Sequence, residues 1–466
     1  MCLRKATGPM SNSGFTAFLV VMKKLFVLLF ILSLPFLGMN LLGLSPFDLK
    51  ANVQVGTGIG AKLACSGRYL SGFDAQQVAA DIASYSAAAD LLAINYDDVE
   101  MSASASLFGL GSTKAKFRPG LGCTLVRAGS EQLDDIVVPT LVESLEPWPR
   151  GSMVNSLDKS MQSQLATVLA QDNAENLQTR ALLVVRNGNI IAEAYVEGFS
   201  PQTPLMGWSM GKSLSAIMLG HLAYVDKLAM DEANLFAEWS GDDRRNITLQ
   251  QLLQMSSGLD FSEVYAPGSD ATRMLFVEAS ASGVAKASAL IHPPGTHFSY
   301  SSGTANLLSE VFVNRTGGTQ AAVDTLHKEI LAPMAMAHTT LELDASGVFM
   351  GSSNIYSSTR DWARLGLLLL QKGELNGHRI VSEQWVMQAT SRNSSDNERA
   401  YGYQVWLNQG DKALRWPDLP ADAYAFTGNR GQRVMIIPSL QTLIVRMGWS
   451  SVNYPDNQRF AQLLAL

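Results

Sequence analysis

The five residues Trp208-Ser209-Met210-Gly211-Lys212 carry the strongest signal in this sequence. They stand at the predicted start of a helix, where a spacing of three places Ser209 and Lys212 on one face within one turn. Serine is a poor nucleophile at neutral pH, and a lysine can take its proton when burial or a neighbouring cation favours the neutral amine. The helix N-terminus also favours an oxyanion beside it. The stretch therefore predicts Ser209 as a nucleophile and Lys212 as its base.

Apolar residues flank this stretch on both sides. A second S-x-x-K motif in the chain lacks such apolar flanks. Leu205 and Met206 precede it, and the predicted helix carries apolar residues at Leu214, Ile217, Met218 and Leu222. Such a helix is buried, and a buried lysine needs a partner or a function. The other copy, Ser156-Leu157-Asp158-Lys159, begins a polar helix with no strand pair before it. We interpret that copy as a helix cap on a solvated face.

Tyr300 is a third catalytic candidate. It lies in a predicted turn that runs into a helix, Phe298-Ser299-Tyr300-Ser301-Ser302-Gly303, and its small neighbours suit a side chain that faces a cleft. A tyrosine near a lysine can lose its proton and act as a base. The alternative is a core aromatic residue whose hydroxyl is hydrogen-bonded.

A glycine-bearing stretch near the end of the chain is a candidate for the oxyanion hole. Phe426-Thr427-Gly428-Asn429-Arg430-Gly431-Gln432 precedes a late strand. Glycines let a substrate approach a strand edge closely. A backbone N–H of this stretch could therefore complete an oxyanion hole with the N–H of Ser209. The alternative is an ordinary hairpin turn.

Strand and helix patterns after about residue 155 predict the fold class. Apolar strands are predicted early and late in this part, at 181–186, 190–196, 433–437 and 442–447. Helices are predicted between them, at 209–224, from 248, and at 304–313, 320–331 and 359–371. This order predicts an α/β (α+β) fold, in which helices flank an antiparallel sheet built from both chain ends and a mostly helical subdomain is inserted.

Taken together, the motifs resemble those of the serine β-lactamase and penicillin-binding protein superfamily. S-x-x-K at Ser209 and Lys212, Y-x-[NS] at Tyr300 and Ser302, and a third motif near the end occur in that order. The resemblance covers about residues 155–460 and is closest to the class C-like branch, which includes esterases, D-aminopeptidases and 6-aminohexanoate-dimer hydrolases. It implies an acyl-enzyme mechanism: Ser209 attacks a carbonyl, Lys212 and Tyr300 shuttle protons, and water deacylates the ester.

The resemblance also implies a tentative set of substrate and oxyanion residues. Tyr265 stands where the nylon-oligomer hydrolases carry a tyrosine that contacts the substrate. Asn429-Arg430-Gly431 fits the His-x-Gly variant of the third motif best, with Phe426-Thr427-Gly428 as the alternative alignment. The expected substrate or oxyanion residues are therefore Ser302, Tyr265, Asn429, Gly431 and Gln432.

Departures from the family pattern favour an amidase or esterase. Ser302 replaces the asparagine that is typical of β-lactamases. In either alignment the third motif lacks the lysine that binds a β-lactam carboxylate, and Arg430 could replace it only if it points inward. The favoured function is an exported serine hydrolase that cleaves an amide or ester. The alternatives are a β-lactamase or D-Ala-D-Ala peptidase, and a catalytically silent binding protein with the same fold.

The composition excludes several functional classes. The chain has 466 residues, of which 16% are charged, too few for a disordered chain. Its 35 basic and 41 acidic residues give a net charge of −6, whereas a nucleic-acid partner would require a basic excess. The cysteines show no C-x-x-C pair and the histidines no H-E-x-x-H, so we expect no metal or cofactor. The expected partner is a small-molecule substrate, and the oligomeric state stays open.

The N-terminus predicts export. Lys23 and Lys24 precede an uncharged apolar run at 25–44, an order typical of a secretory signal or membrane anchor with the body outside the cytoplasm. The alternative is a buried core helix. We expect a protein that is periplasmic, or anchored to the inner membrane and facing outward, and that meets a membrane only through this segment.

Three regions follow from these patterns. Residues 1–47 are the expected signal or anchor, 48–150 a small N-terminal region of unknown role, and 151–466 the β-lactamase-like hydrolase domain. Within 48–150 we expect a helix at 75–92. Cys65 and Cys123 are expected to form a disulfide in an oxidising compartment, and the alternative is two buried thiols.

Overall fold

The computed structural model describes residues 49–465 of the chain. The apolar run at 25–44, and with it the expected signal or anchor, lies outside these residues. Within them, no helix is both long enough and apolar enough to cross a membrane.

Residues 49–150, which we call the N-terminal region, combine helices with a four-stranded antiparallel sheet. The helices are α1 (Leu49–Cys65) and α2 (Ala75–Ala83). The strands lie in the sheet in chain order: β1 (Ala93–Asp97), β2 (Ser102–Ser106), β3 (Ser112–Arg118) and β4 (Gly122–Leu125). A disulfide joins the end of α1 to β4 through Cys65 and Cys123.

The prediction of a helix at 75–92 was wrong about the length of that helix. Helix α2 ends at Ala83, and only a 3₁₀ turn at Ala89–Leu91 follows before β1. Serine hydroxyls compete with the helix here: Ser84 Oγ donates to the carbonyl of Asp81, and Ser86 Oγ accepts from the N–H of Ala89. Such local bonds offer the backbone an alternative to continued helix.

Residues 151–465, which we call the hydrolase body, contain the main sheet. Its strands are β5 (Thr179–Arg186), β6 (Asn189–Tyr195), β7 (Leu205–Met206), β8 (Thr339–Leu341), β9 (Ile355–Ser357), β10 (Glu374–Leu375), β11 (His378–Arg379), β12 (Trp406–Leu407), β13 (Tyr424–Gly428), β14 (Gln432–Ile437) and β15 (Thr442–Gly448). Six of them form an antiparallel sheet in the order β12-β13-β14-β15-β5-β6. Because β15 pairs with β5, both ends of the body share one sheet, as predicted.

Helices cover both faces of this sheet and fill the sequence between its halves. They are α3 (Lys159–Ala174), α4 (Gly211–Tyr224), α5 (Leu249–Leu253), α6 (Asp270–Phe276), α7 (Ala281–Lys286), α8 (Ser302–Thr316), α9 (Thr319–Thr325), α10 (Thr359–Leu370), α11 (Glu383–Ala389) and α12 (Asp456–Leu464). Alternate residues of β5 enter different cores, since Leu183 packs in one cluster and Leu182 in the other. The predicted fold class is confirmed.

A buried carboxylate ties the N-terminal region to the body. Glu342, which directly follows β8, has no exposed surface. All three of its closest donors come from the N-terminal region: Lys62 Nζ at 2.8 Å, Ser66 Oγ at 2.7 Å and the N–H of Cys123 at 2.7 Å. A buried charge is tolerated only when it is paired and hydrogen-bonded. The N-terminal region therefore supplies the partners that this buried carboxylate of the body needs.

Candidate active site

A sharp turn delivers Ser209 to the start of α4. After β7 and Gly207, the backbone of Trp208 has φ +49°, which non-glycine residues seldom adopt. The 3₁₀ turn Trp208–Met210 then runs directly into α4. Gly207 is required at this turn, because a Cβ there would lie 2.1 Å from the ring of Trp362.

Lys212 follows one helical turn later and contacts the serine. Its surface is 1% exposed. Its Nζ lies 3.0 Å from Ser209 Oγ, 3.0 Å from Ser302 Oγ and 3.0 Å from the carbonyl oxygen of Ser352. All three distances lie within the range of a hydrogen bond. The structure thus holds Ser209 and Lys212 at the distance that base-assisted attack requires.

Ser302 connects Lys212 to a carboxylate that sequence analysis did not single out. Ser302 Oγ donates to Glu263 Oε1 at 2.5 Å, and the Ser302 N–H donates to Glu263 Oε2 at 2.7 Å. A chain of hydrogen bonds therefore runs from Glu263 through Ser302 and Lys212 to Ser209. Its partner Ser302 is 39 residues away, so no short stretch of sequence reveals this contact. The only hint in the sequence is that Glu263 lies two residues before Tyr265.

Tyr265 shares this carboxylate. Its hydroxyl donates to Glu263 Oε1 at 2.8 Å and lies 3.4 Å from Ser302 Oγ. Burial of the hydroxyl and the charge of Glu263 raise the pKa of Tyr265, although 56% of the residue is exposed. Tyr265 is therefore a neutral hydrogen-bond donor, and the exposed part of its ring is open to the cavity.

Tyr300 lies beside the Ser209–Lys212 pair through its ring. Lys212 Nζ is 4.9 Å from the ring centre, which is a cation–π distance. The ring stacks on Trp406 with 5.5 Å between centroids and meets Tyr401 edge-on at 6.1 Å. Within residues 49–465 the Tyr300 hydroxyl makes no hydrogen bond. The ring shields Lys212, and the hydroxyl stays available to a bound molecule.

The third motif reaches the site at the end of β13. A Cβ on Gly428 would lie 2.2 Å from the carbonyl oxygen of Gly207, so only glycine permits this approach. Thr427, Gly428 and Asn429 line a cleft together with Ser209. The structure therefore favours the alternative alignment, Phe426-Thr427-Gly428, as the strand motif, while 429–431 form the turn after it.

The remaining candidates of this stretch divide between the cavity and the sheet. Asn429 and Gly431 line the cavity, although Asn429 Oδ1 also accepts from the N–H of Arg430 at 2.9 Å. Gln432 does not belong to the site: it is 1% exposed, and its amide bonds both backbone groups of Gly448 across the sheet. The side chain of Gln432, at a strand position next to the motif, thus faces the core.

Arg430 is directed to the N-terminal region. Its guanidinium lies 4.1 Å from the ring centre of Tyr85 and 5.6 Å from that of Trp449, and Nη2 donates to the carbonyl of Ser84 at 3.3 Å. Nearby cation–π contacts of this kind fix the side chain in place. Arg430 therefore forms part of the wall where the two regions meet.

A cavity of about 1160 Å³ opens over Ser209. Its lining includes Glu263, Tyr265 and Tyr300, the third motif, the body's segment 450–454, and residues of the N-terminal region. Among residues 49–465, no cluster of His, Cys, Asp or Glu could hold a metal ion.

The rival copy of the S-x-x-K spacing occupies a different environment. Asp158 is the N-cap of α3, and its carboxylate accepts from the N–H groups of Ser160 and Met161. Ser156 and Lys159 are both exposed. The interpretation as a cap on a solvated face is confirmed, and this copy offers a matched control for Ser209 and Lys212.

Sequence comparisons relate the chain to known proteins. Residues 165–464 match the family model described as Beta-lactamase. The chain is 25% identical over 350 residues to a 6-aminohexanoate-dimer hydrolase from Paenarthrobacter ureafaciens, an alignment that spans 71% of this chain and 86% of the relative.

Solved structures share the fold. A candidate 6-aminohexanoate-dimer hydrolase from Bacillus anthracis superposes with a TM-score of 0.57 at 18% identity, covering 72% of this chain and 92% of the other. A family VIII carboxylesterase superposes with a TM-score of 0.53 at 14% identity, covering 67% of this chain and 99% of the other. At these identities the likeness concerns the fold.

Proposed function

The chain belongs to the β-lactamase family of serine hydrolases, as its motifs predict, and we propose that it cleaves a small-molecule amide or ester through an acyl-enzyme on Ser209. The observation that carries the proposal is the 3.0 Å contact between Ser209 Oγ and the buried Nζ of Lys212. A serine held by a base at a helix N-terminus is the arrangement that nucleophilic catalysis needs.

The proposed reaction has two halves. Lys212, as the neutral amine, takes the proton of Ser209 while Oγ attacks the carbonyl carbon and the carbonyl oxygen becomes an oxyanion. The N–H of Ser209 and a backbone N–H at the end of β13 stabilise that oxyanion. The carbonyl re-forms as the amine or alcohol leaves with a proton supplied through Lys212 and Tyr300. Water then attacks the acyl-enzyme, and its proton returns Ser209 to the hydroxyl form.

Other residues around the site are assigned supporting roles. Glu263 is a positioning residue, since it holds Ser302 against Lys212. Tyr265 and Asn429 line the cavity and are the proposed substrate contacts, with Gly431 in the wall beside them. The motif position at Phe426 lacks a lysine for a β-lactam carboxylate, which supports an amidase or esterase over a β-lactamase.

Export remains part of the proposal. The lysines and apolar run before residue 47 support it, and so does the disulfide between Cys65 and Cys123, since such bonds persist in oxidising compartments. We also propose the domain limits at 48–150 and 151–466. Alkylation of intact cells with a membrane-permeant maleimide before lysis would test the disulfide: we expect both cysteines to stay unlabelled, and labelling of both would contradict export.

Fluorophosphonate labelling of the full-length chain tests the nucleophile. The unmodified protein, Ser209→Ala and Ser156→Ala would be incubated side by side and the labelled peptide found by mass spectrometry. We expect the label on Ser209 in the unmodified protein and in Ser156→Ala, and none in Ser209→Ala. Labelling of a different serine would refute the assignment. If neither this probe nor p-nitrophenyl acetate acylated the unmodified protein, the silent binding protein would replace the hydrolase.

A panel of substrates separates the enzyme classes. Turnover of p-nitrophenyl esters and of simple amides is expected, without turnover of nitrocefin or stable labelling by penicillin. Nitrocefin hydrolysis or a stable penicilloyl adduct on Ser209 would move the assignment to a β-lactamase or a D-Ala-D-Ala peptidase.

A further inference from the structure

One face of α1 forms a wall of the active-site cavity. Val55, Gly56 and Ile59 line that cavity together with Ser209, and residues three or four apart lie on one face of a helix. The neighbouring positions pack against protein: a Cβ on Gly58 would lie 2.9 Å from Phe276 Cβ. The polar residue Asn52 lies on the same face, so α1 presents Asn52, Val55, Gly56 and Ile59 to the cavity.

The surface that the N-terminal region adds to the cavity is neutral. Leu92 and Leu107 join α1 in the lining, and every described lining residue from 49–150 is uncharged. The charged lining residues all belong to the hydrolase body: Glu263, Arg430, Arg433 and Asp456. We call its apolar part, Val55, Gly56, Ile59, Leu92 and Leu107, together with Phe276 of the body, the apolar arm; Asn52, Ser84, Tyr85 and Ser86 are polar members of the same lining.

The chemistry of this arm selects the group that it can bind. Each buried methylene gains transfer free energy, whereas a charged group placed there would lose its hydration without a partner. The whole cavity, at about 1160 Å³, exceeds the ~300–1,000 Å³ of common ligand pockets. It has room for more than the scissile bond and its nearest atoms.

We propose that the apolar arm is a substrate subsite, and that the substrate is an amide or ester bearing a neutral apolar chain on one side of the scissile bond. The inference rests on the proposed function of Ser209 and names the substrate class for it. The chain could belong to the acyl group or to the leaving alcohol or amine, since both flank the same carbonyl. The N-terminal region is then the part of the molecule that sets substrate selectivity.

Gly56 allows the arm to be filled without disturbing the protein. A Cβ at this position meets no other atom within 4 Å, and a larger residue is also a better helix former than glycine. Gly56→Phe would therefore place a ring in the arm. Gly241→Phe is the matched control, because a Cβ at Gly241 also meets nothing within 4 Å and this residue does not line the cavity.

Two ester series distinguish the sources of the chain. One series lengthens the acyl group of p-nitrophenyl esters from two to eight carbons, and the other lengthens the alkyl alcohol of acetate esters over the same range. In the unmodified full-length protein we expect kcat/KM to rise with length in one of the series, by up to about fourfold per methylene, which is the transfer free energy of a buried methylene. The series that rises identifies the side that carries the chain.

The Gly56 variants complete the test. Gly56→Phe should lower kcat/KM at least tenfold more for the eight-carbon substrate than for the two-carbon substrate, and Gly241→Phe should change neither. If Gly56→Phe fails to fold, Gly56→Leu places a smaller side chain in the arm. The dependence of kcat/KM on chain length in the unmodified protein also tests the subsite without any variant. A flat profile in both series, or an equal loss for short and long substrates, would overturn the subsite. Hydrolysis of the two-carbon esters and labelling of Ser209 report separately on the proposed function.

Discussion

The hydrolase body and the N-terminal region meet at one cavity but contribute different things to it. The proposed catalytic groups, Ser209 and Lys212, and the proposed positioning residue Glu263 lie in the body. The N-terminal region contributes uncharged cavity surface and the donors that satisfy Glu342. This difference shows that the family motifs indicate where the reaction takes place. The N-terminal region can shape the substrate site and stabilise the fold although it carries no such motif.

The comparison makes a separable prediction for each region. Changes at the catalytic groups of the body should reduce turnover and leave the free energy of unfolding nearly unchanged. Changes at the contacts that the N-terminal region makes with the body should reduce stability and leave the turnover of short substrates nearly unchanged. Each variant below is chosen to test one side of this division.

The largest effect is expected at Lys212. Lys212→Met removes the base and leaves a side chain of similar length, so kcat for a two-carbon ester should fall about ten-thousandfold, or ~5.4 kcal/mol of activation free energy. Steady-state kinetics would measure the loss, and urea unfolding should show little change in stability. Lys159→Met in the rival copy is the control and should retain full activity. A fall of less than tenfold in Lys212→Met would show that this lysine is not the base.

The next effect is on stability and belongs to the N-terminal region. Lys62→Met removes the ion pair of Glu342 and leaves a buried carboxylate, so the free energy of unfolding should fall by about 3–5 kcal/mol. Urea denaturation would measure it, with kcat for a two-carbon ester expected within about twofold of the unmodified protein.

Two further variants serve as controls for the Lys62→Met result. Lys114→Met on β3 changes an exposed lysine and should have little effect. Adding Glu342→Gln to Lys62→Met removes the uncompensated charge and should restore part of the stability. A Lys62→Met protein as stable as the unmodified one would show that the body does not depend on the N-terminal region at this point.

The features that sequence analysis predicted are those whose signals are local. Ser209 and Lys212 are one helical turn apart, and the hairpin between β5 and β6 is announced by Asn187-Gly188, both with positive φ. Thr248 and Gln251 likewise form a capping box at the start of α5. In each case the residues that cause the structure are neighbours along the chain, so a short window contains the whole physical reason.

The parts that escaped prediction depend on distant contacts. Helix α1 contains Gly56, Gly58 and Gly60, which lower helix propensity, and it is stabilised by burial against β2 and α6, which no local window reveals. Glu263 acquires its role only when Ser302 meets it across the cavity. The alignment of the third motif depended on where β13 ends, which is set by its pairing with β14.

The disulfide should contribute a smaller share of stability. It closes a loop with a sequence separation of 58 residues, and a bond of this span typically stabilises by about 2–4 kcal/mol through the unfolded chain. The double variant Cys65→Ser, Cys123→Ser should lose about that amount in urea denaturation and keep its kcat for short esters. Reduction of the unmodified protein should reproduce the loss. A larger effect on kcat than on stability would break the division between the two regions.

The smallest expected effect returns to the body, at Glu263. Glu263→Gln keeps an acceptor for Ser302 Oγ and removes the negative charge that acts on Lys212 through it. The charge-assisted bond that supports the ammonium in the transition state is lost, so kcat should fall about tenfold, or ~1.4 kcal/mol. Steady-state kinetics would measure the loss, and an unchanged kcat would contradict the positioning role. Glu197→Gln, at an exposed position, should leave kcat unchanged.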